Sequence, residues 1–173
     1  MPVMDRAMEM LPRVKAVSAA KPPFVLNIEW KDGTKAKVDL TGLVHSSRHF
    51  KVFANDRQAF ARVKPDEFGT GIEWENGLDY SASSLRKLSE EQKPVDGKWL
   101  VRFERRHNLN TEETACIFSV TDRTVQSYRR MNVLPKAVAV ALRHLDEDPT
   151  AFAAHYKPIA VKPRGRPKTN RAG

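Results

Sequence analysis

The segment most able to do chemistry is Thr111-Glu-Glu-Thr-Ala-Cys-Ile-Phe-Ser-Val-Thr-Asp-Arg-Thr-Val-Gln-Ser-Tyr-Arg-Arg130. Its spacing predicts two short helices meeting at a tight turn around Ser119. Ala115 is small where the helices must approach closely, and Phe118, Val120, Val125 and Tyr128 fall where such a pair buries its contact. That is the spacing of a helix–turn–helix, whose second helix lies in the major groove of DNA. Burying Val125 and Tyr128 turns Arg123, Gln126, Ser127 and Arg130 outward, at i, i+3, i+4 and i+7, on one face. The residue types suit base reading: Arg bonds two acceptors on guanine, Gln pairs with adenine, and Ser donates or accepts. Thr121 is placed to cap the second helix, whose first amides then face a phosphate. Asp122 stands against this, because a carboxylate there repels phosphate while favouring the helix N-terminus.

A second chemistry-bearing segment is Lys162-Pro-Arg-Gly-Arg-Pro-Lys168. The chain of 173 residues carries a net charge of +9 from 30 basic and 21 acidic side chains. Residues 157–173 hold six basic side chains and no acidic ones, so most of the excess is concentrated there. A basic tail on a near-neutral body suits an electrostatic hold on a polyanion. Pro163-Arg164-Gly165-Arg166-Pro167 resembles the core of an AT-hook. The prolines hold the chain extended, and Gly165 lets the backbone approach the floor of a narrow minor groove. Arg164, Arg166 and Lys168 follow the enhanced negative potential of A·T-rich DNA. Without core-forming residues after Val161, the tail is expected to be disordered when free.

The remaining candidates are weaker. His45 and His49 have an i, i+4 spacing compatible with a metal on one helix, but His-Ser-Ser-Arg-His lacks a zinc-protease glutamate and no further ligand is evident. Surface histidines are the expectation. Cys116, the single cysteine, excludes an intramolecular disulfide and a cysteine-based zinc site, and is expected to be packed in the helix pair. Glu73, Glu75 and Asp79 form an acidic cluster, with Glu73 and Glu75 on one face if the segment is a strand. A solvated strand face is the simpler account. No phosphate-cradling glycine loop and no nucleophile motif occurs. The expectation is therefore a binding protein and not an enzyme, with no cofactor and no metal.

These segments need positioning elements. Phe24-Val-Leu-Asn-Ile-Glu-Trp30 and Lys35-Ala-Lys-Val-Asp-Leu40 read as strands around the hairpin signal Asp32-Gly33. His49–Ala54 reads as a helical turn, Ala59–Lys64 as a strand, and Phe68–Trp74 as a strand closed by the turn signal Asn76-Gly77. Ser81 offers a cap before a short helix around Leu85-Arg-Lys-Leu88. The polar stretch Ser89–Gly97 marks a boundary. Beyond it, Asp96 caps a helix to about Arg106, and Asn110 with Glu113 forms a capping box for a helix to Phe118. Thr121 caps one to about Arg130, Pro135 opens one through Leu145, and Asp148-Pro149 starts a last one to about Tyr156. The fold class expected is an α+β domain of antiparallel hairpins and short helices over 1–90. An all-α, four- or five-helix domain over 96–156 and a basic tail over 157–173 follow it. No apolar run approaches a membrane span of roughly 20 residues. The first residues, broken by Asp5, Glu9, Arg13 and Lys15, do not read as a signal peptide, so a cytoplasmic location is expected.

From Trp99 to Leu145 the sequence resembles the Cro-like, lambda-repressor-like DNA-binding domains, through Ala115, Val120, the run Thr124-Val125-Gln126-Ser127-Tyr128 and Pro135. It departs at Ser119, where that family usually has glycine; a left-handed serine costs roughly 1 kcal/mol. Over about residues 12–90, Ile28-Glu-Trp-Lys-Asp-Gly33, Val38-Asp39-Leu40 and Gly71-Ile-Glu-Trp-Glu-Asn-Gly-Leu-Asp79 are similar to a small bacterial α+β domain of unknown function. That domain is found alone or ahead of a lambda-repressor-like domain, in some cases in toxin–antitoxin-like gene neighbourhoods. The resemblances imply a bacterial transcriptional regulator that binds double-stranded DNA as a homodimer. The alternative they imply is an antitoxin-like interaction module whose N-terminal domain grips a protein partner and whose DNA binding is autoregulatory.

Overall fold

The computed structural model describes residues 11–159. The chain divides into two compact units between Lys93 and Pro94. The first is α+β, with two three-stranded antiparallel sheets, and the second is all helical.

In the first unit, β1 (Val14–Ala19), β2 (Val25–Trp30) and β3 (Lys35–Asp39) form a sheet in that order. Alternation in β2 sends Leu26, Ile28 and Trp30 to the core and leaves Asn27 and Glu29 half-buried on the other face. The β2–β3 hairpin turns at Asp32-Gly33, with Gly33 at φ 84° and the Asp32 carboxylate accepting from the Thr34 amide. The register pairs Leu26 with Val38 and Ile28 with Ala36. β1 pairs with β2 through an irregularity between Val14 and Ala16.

Three short elements follow: α1 (Thr41–Ser46), a 3₁₀ turn at Phe50–Ala54, and α2 (Arg57–Ala61). The segment 59–64 was expected to be a strand. Its first half is instead helix, because the Asp56 carboxylate caps Ala59 N–H and starts a turn that buries Phe60. Only Lys64–Pro65 is extended, as β4, beside β5 (Gly71–Glu73) and β6 (Asp79–Ser81). Ser81 caps α3 (Ala82–Glu91), which buries Leu85. Phe50, Phe53, Phe60 and Trp74 make a cluster of edge-to-face and tilted rings inside, and the Trp74 indole donates to the Phe60 carbonyl.

The second unit comprises α4 (Gly97–Arg106), α5 (Thr111–Phe118), α6 (Asp122–Tyr128), α7 (Lys136–Glu147) and α8 (Pro149–His155). Its core is Val95, Leu100, Phe103, Leu134, Leu142 and Leu145, with Trp99, Ile117, Phe118, Tyr128 and Phe152 half-buried around it. The caps are the expected ones: Asp96 accepts from Trp99 N–H, Thr121 from Thr124 N–H, and Asp148 from Thr150 and Ala151. α6 ends at Tyr128, two residues before the expected Arg130. No helix among the described residues is long and apolar enough to cross a membrane.

Candidate nucleic-acid interface

The geometry of α5 and α6 follows from three residues. Asn110 and Glu113 close a reciprocal capping box, each side chain accepting from the other's backbone N–H at 2.9 Å. At the other end Ser119 takes the left-handed conformation, φ 53° and ψ 44°. There Val120 N–H donates to the Ala115 carbonyl and Ser119 N–H to that of Cys116. These are the two bonds of a Schellman ending, which satisfy carbonyls the helix itself leaves open. Serine fills the glycine position at modest strain, and the turn forms. Thr121 then opens α6, its hydroxyl accepting from Thr124 N–H at 3.2 Å and lying 2.9 Å from the Thr124 hydroxyl.

Val125 is fully buried and Tyr128 half-buried, while Arg123, Gln126 and Ser127 are exposed on α6 and Arg130 is exposed just past its end. The four side chains thus share an outward face opposite Val125. Asp122 is exposed beside them. Arg164, Gly165, Arg166 and Lys168, the tail candidates, lie outside the described residues.

Two residues that set this face carried no functional expectation. Arg129 points inward: its guanidinium donates to both carboxylate oxygens of Glu104 at 2.8 and 2.9 Å and to the Thr111 hydroxyl at 3.0 Å. Glu104 is buried, and its hydrogen bond raises the Arg129 pKa further against the opposing effect of burial. One side chain therefore ties the end of α6 to α4 and to the first residue of α5. The signal was present in the sequence, since Arg129 is four residues after Val125 and so on the inward face. Gly97 is the second. Its N–H donates to the Met131 carbonyl at 2.8 Å. A β-carbon there would lie 2.3 Å from the Tyr128 oxygen and 2.4 Å from the Arg129 oxygen. Only glycine lets the start of α4 approach the end of α6 so closely.

Other expectations are corrected or refined. Cys116 is exposed on α5 and not packed, because the inward positions of that helix go to Glu113, Thr114 and Ala115. His45 and His49 do not share a helix: α1 ends at Ser46, and His49 precedes the 3₁₀ turn. Glu73 and Glu75 do not share a strand, since β5 ends at Glu73. Each meets a cation, Lys64 at 3.1 Å and Arg62 at 2.9 Å. Among the described residues no group of three or more His, Cys, Asp or Glu is arranged to hold a metal.

Residues 14–91 match the model of a family described as a protein of unknown function, DUF2442. The first unit is therefore similar to that family over its sheets and its helices α1–α3. No curated protein matches the chain. Among solved structures, the chain is similar to the crystal structure of a candidate DNA binding protein from Nitrosomonas europaea. The identity is 22%, over 90% of this chain and 96% of that one, with a TM-score of 0.43. A likeness at that score assigns neither fold nor function.

Proposed function

We propose that the second unit binds duplex DNA as a sequence-specific transcriptional regulator, with α6 docked in the major groove and Arg123, Gln126, Ser127 and Arg130 reading base edges. The observation that carries this reading is the pair α5–α6. A Schellman turn of three residues, Ser119 to Thr121, sets a short helix with Val125 buried and four hydrogen-bonding side chains on the opposite, exposed face. The face has no large apolar residue, so it suits a polar, hydrated partner such as base edges and phosphates. The basic tail adds minor-groove contacts through Arg164 and Arg166 and makes affinity salt-sensitive. A homodimer completes the reading, because one helix reads few base pairs and such motifs work as symmetric pairs. Val133 and Val140, both exposed, are apolar surface available on the same unit.

Selection of bound sites from random duplexes tests this directly. The expected product is an enriched motif repeated with two-fold symmetry at about 10 base pairs or a multiple, beside A·T-rich flanks. Recovery of sequences with no common motif would overturn the sequence-specific reading.

A further inference from the structure

Helix α7 buries Leu142, Arg143 and Leu145 and turns another face to solvent, where Lys136, Ala137, Val140, His144 and Glu147 are exposed. At about 100° per residue these five fall within an arc of roughly 100°, so they form one stripe along the helix. Val140 lies near its centre and keeps more than half its surface in solvent, as does Val133 just ahead of the helix. The outer face of a surface helix ordinarily carries charged and polar side chains. Here the middle is apolar or neutral, and the full charges stand at the two ends.

Those end charges are misplaced for α7 itself. A helix macrodipole favours anions at the N-terminus and cations at the C-terminus. Lys136 is the first residue of α7 and Glu147 its last, so each faces the end of like sign. Neither has an ion-pair partner among the described residues. Their separation of eleven residues is close to three turns, which places both on the same edge of the stripe. Each is about 8 Å along the axis from the midpoint between Ala141 and Leu142, at roughly 1.5 Å per residue.

This pattern is self-complementary. A second copy laid antiparallel, related by a twofold axis at that midpoint, brings its Glu147 level with Lys136 and on the same edge. The symmetry repeats the pair at the other end. Each charge then sits at the favourable end of the other helix's dipole. Val140 meets its own counterpart beside the axis, and Ala137 meets His144 along the second edge. Small side chains at the contact let two helices approach closely.

We propose that two copies of this chain associate through α7, antiparallel, with Val140 at the twofold axis and a Lys136–Glu147 pair at each end. This rests on the homodimer of the reading above and assigns its interface. One helix pair is a small interface, so the association is weak in free solution.

Sedimentation equilibrium of the full chain, at up to about 1 mM, tests this without DNA. The parent should show a reversible monomer–dimer equilibrium. Val140→Asp sets two carboxylates beside the axis and should weaken it by about tenfold or more. Lys136→Glu and Glu147→Lys should each weaken it about tenfold at low salt, where two attractions become two repulsions, and less at high salt. An equimolar mixture of the two single variants, and the double variant, restore opposite charges across the axis and should recover the parental association. All three side chains are exposed, so the melting curves should stay close to the parent's. Dimers of parental strength in Val140→Asp, or charge reversals that neither weaken the dimer alone nor recover it when mixed, overturn the α7 interface and leave a homodimer through another surface. A parent that stays monomeric over the whole range overturns the proposal. If that parent also binds the selected duplex as one copy, the homodimer reading falls with it.

Discussion

Gly97→Ala should destabilise the second unit, against the ordinary preference of helices for alanine. In an open helix the exchange stabilises by about 0.5–1 kcal/mol. At Gly97 the added β-carbon meets the Tyr128 and Arg129 carbonyl oxygens at 2.3 and 2.4 Å and the Arg129 carbonyl carbon at 2.5 Å, all inside the 3.0 Å that real contacts respect. Every one of these atoms is backbone, so no flexible side chain can swing away. Relief requires α4 and the end of α6 to separate, which overpacks or opens the core at a cost of about 1–3 kcal/mol. The separation also stretches the Gly97–Met131 hydrogen bond, worth about 0.5–1.5 kcal/mol. The clash outweighs the propensity gain, and a net loss of about 1–3 kcal/mol corresponds to a fall in melting temperature of roughly 5–15 °C for a unit of this size. Gly42→Ala in α1 is the matched control, since a β-carbon there meets nothing within 4 Å. It should be neutral or slightly stabilising. Circular-dichroism melts of the two variants decide the matter. A Gly97→Ala chain as stable as the parent, binding DNA as tightly, would refute the close-approach argument.

Four further outcomes are expected. Arg123→Ala and Gln126→Ala should each lose about 1–3 kcal/mol for the selected site with smaller losses on random DNA, read by titration on both duplexes; equal losses on both would remove their base-reading role. Arg129→Ala leaves the Glu104 carboxylate buried without its cation; chemical denaturation should show a loss of about 2–4 kcal/mol, somewhat under the value for a fully buried pair because the guanidinium is 28% exposed. Arg164→Ala with Arg166→Ala should make log affinity less steep in log salt by about two units and weaken A·T-flanked sites more than G·C-flanked ones, with little change in the melting curve. The Glu113 carboxyl is held below its usual 4.5, first by the Asn110 N–H and then by Ile159 and Tyr156, against burial. A depressed folded pKa gives stability that is full above 4.5 and is lost as pH falls through the lower folded value. Melts between about pH 2 and 6 should therefore show a flatter acid limb for Glu113→Gln than for the parent.

What could be read from the sequence, and what could not, follows the range of the forces involved. The helix caps at Ser81, Asp96, Asn110, Thr121 and Asp148 were legible because a cap is made by residues two or three positions apart. So was the β2–β3 hairpin, where Asp32-Gly33 supplies the turn locally. β1 was not legible. Its residues Val14–Ala19 are short and mostly small, and it is a strand because the Gly69 carbonyl and the edge of β2 satisfy its backbone from further along the chain. The segment 59–64 misled for the opposite reason. Ala59, Ala61 and Val63 alternate as in a strand, but a local cap from Asp56 decides for helix through Ala61. In the second unit the outward face of α6 was legible from the 3.6-residue period alone. Gly97, Glu104 and Ile159 were not, because their partners lie 25 to 49 residues away and no periodicity points to them.

Arg129 and Arg130 show how far that period decides chemistry. They are adjacent and identical in type, yet one rotation step of about 100° per residue divides their tasks. Arg129 turns inward, where Glu104 and Thr111 saturate its fork and its charge is spent on holding α6 in place. Arg130 turns outward, exposed, with its charge free to face solvent or a phosphate. A charge count treats the two as equal contributors to nucleic-acid affinity; the structure does not. Neutralising Arg130 removes a cation from the exposed face without touching the network beneath it. Neutralising Arg129 removes no outward charge but loosens the end of α6, and through Thr111 the first turn of α5 that holds Ile159. The two substitutions should therefore separate in kind: Arg130→Ala lowers affinity and the salt dependence at constant stability, and Arg129→Ala lowers stability at a salt dependence like the parent's.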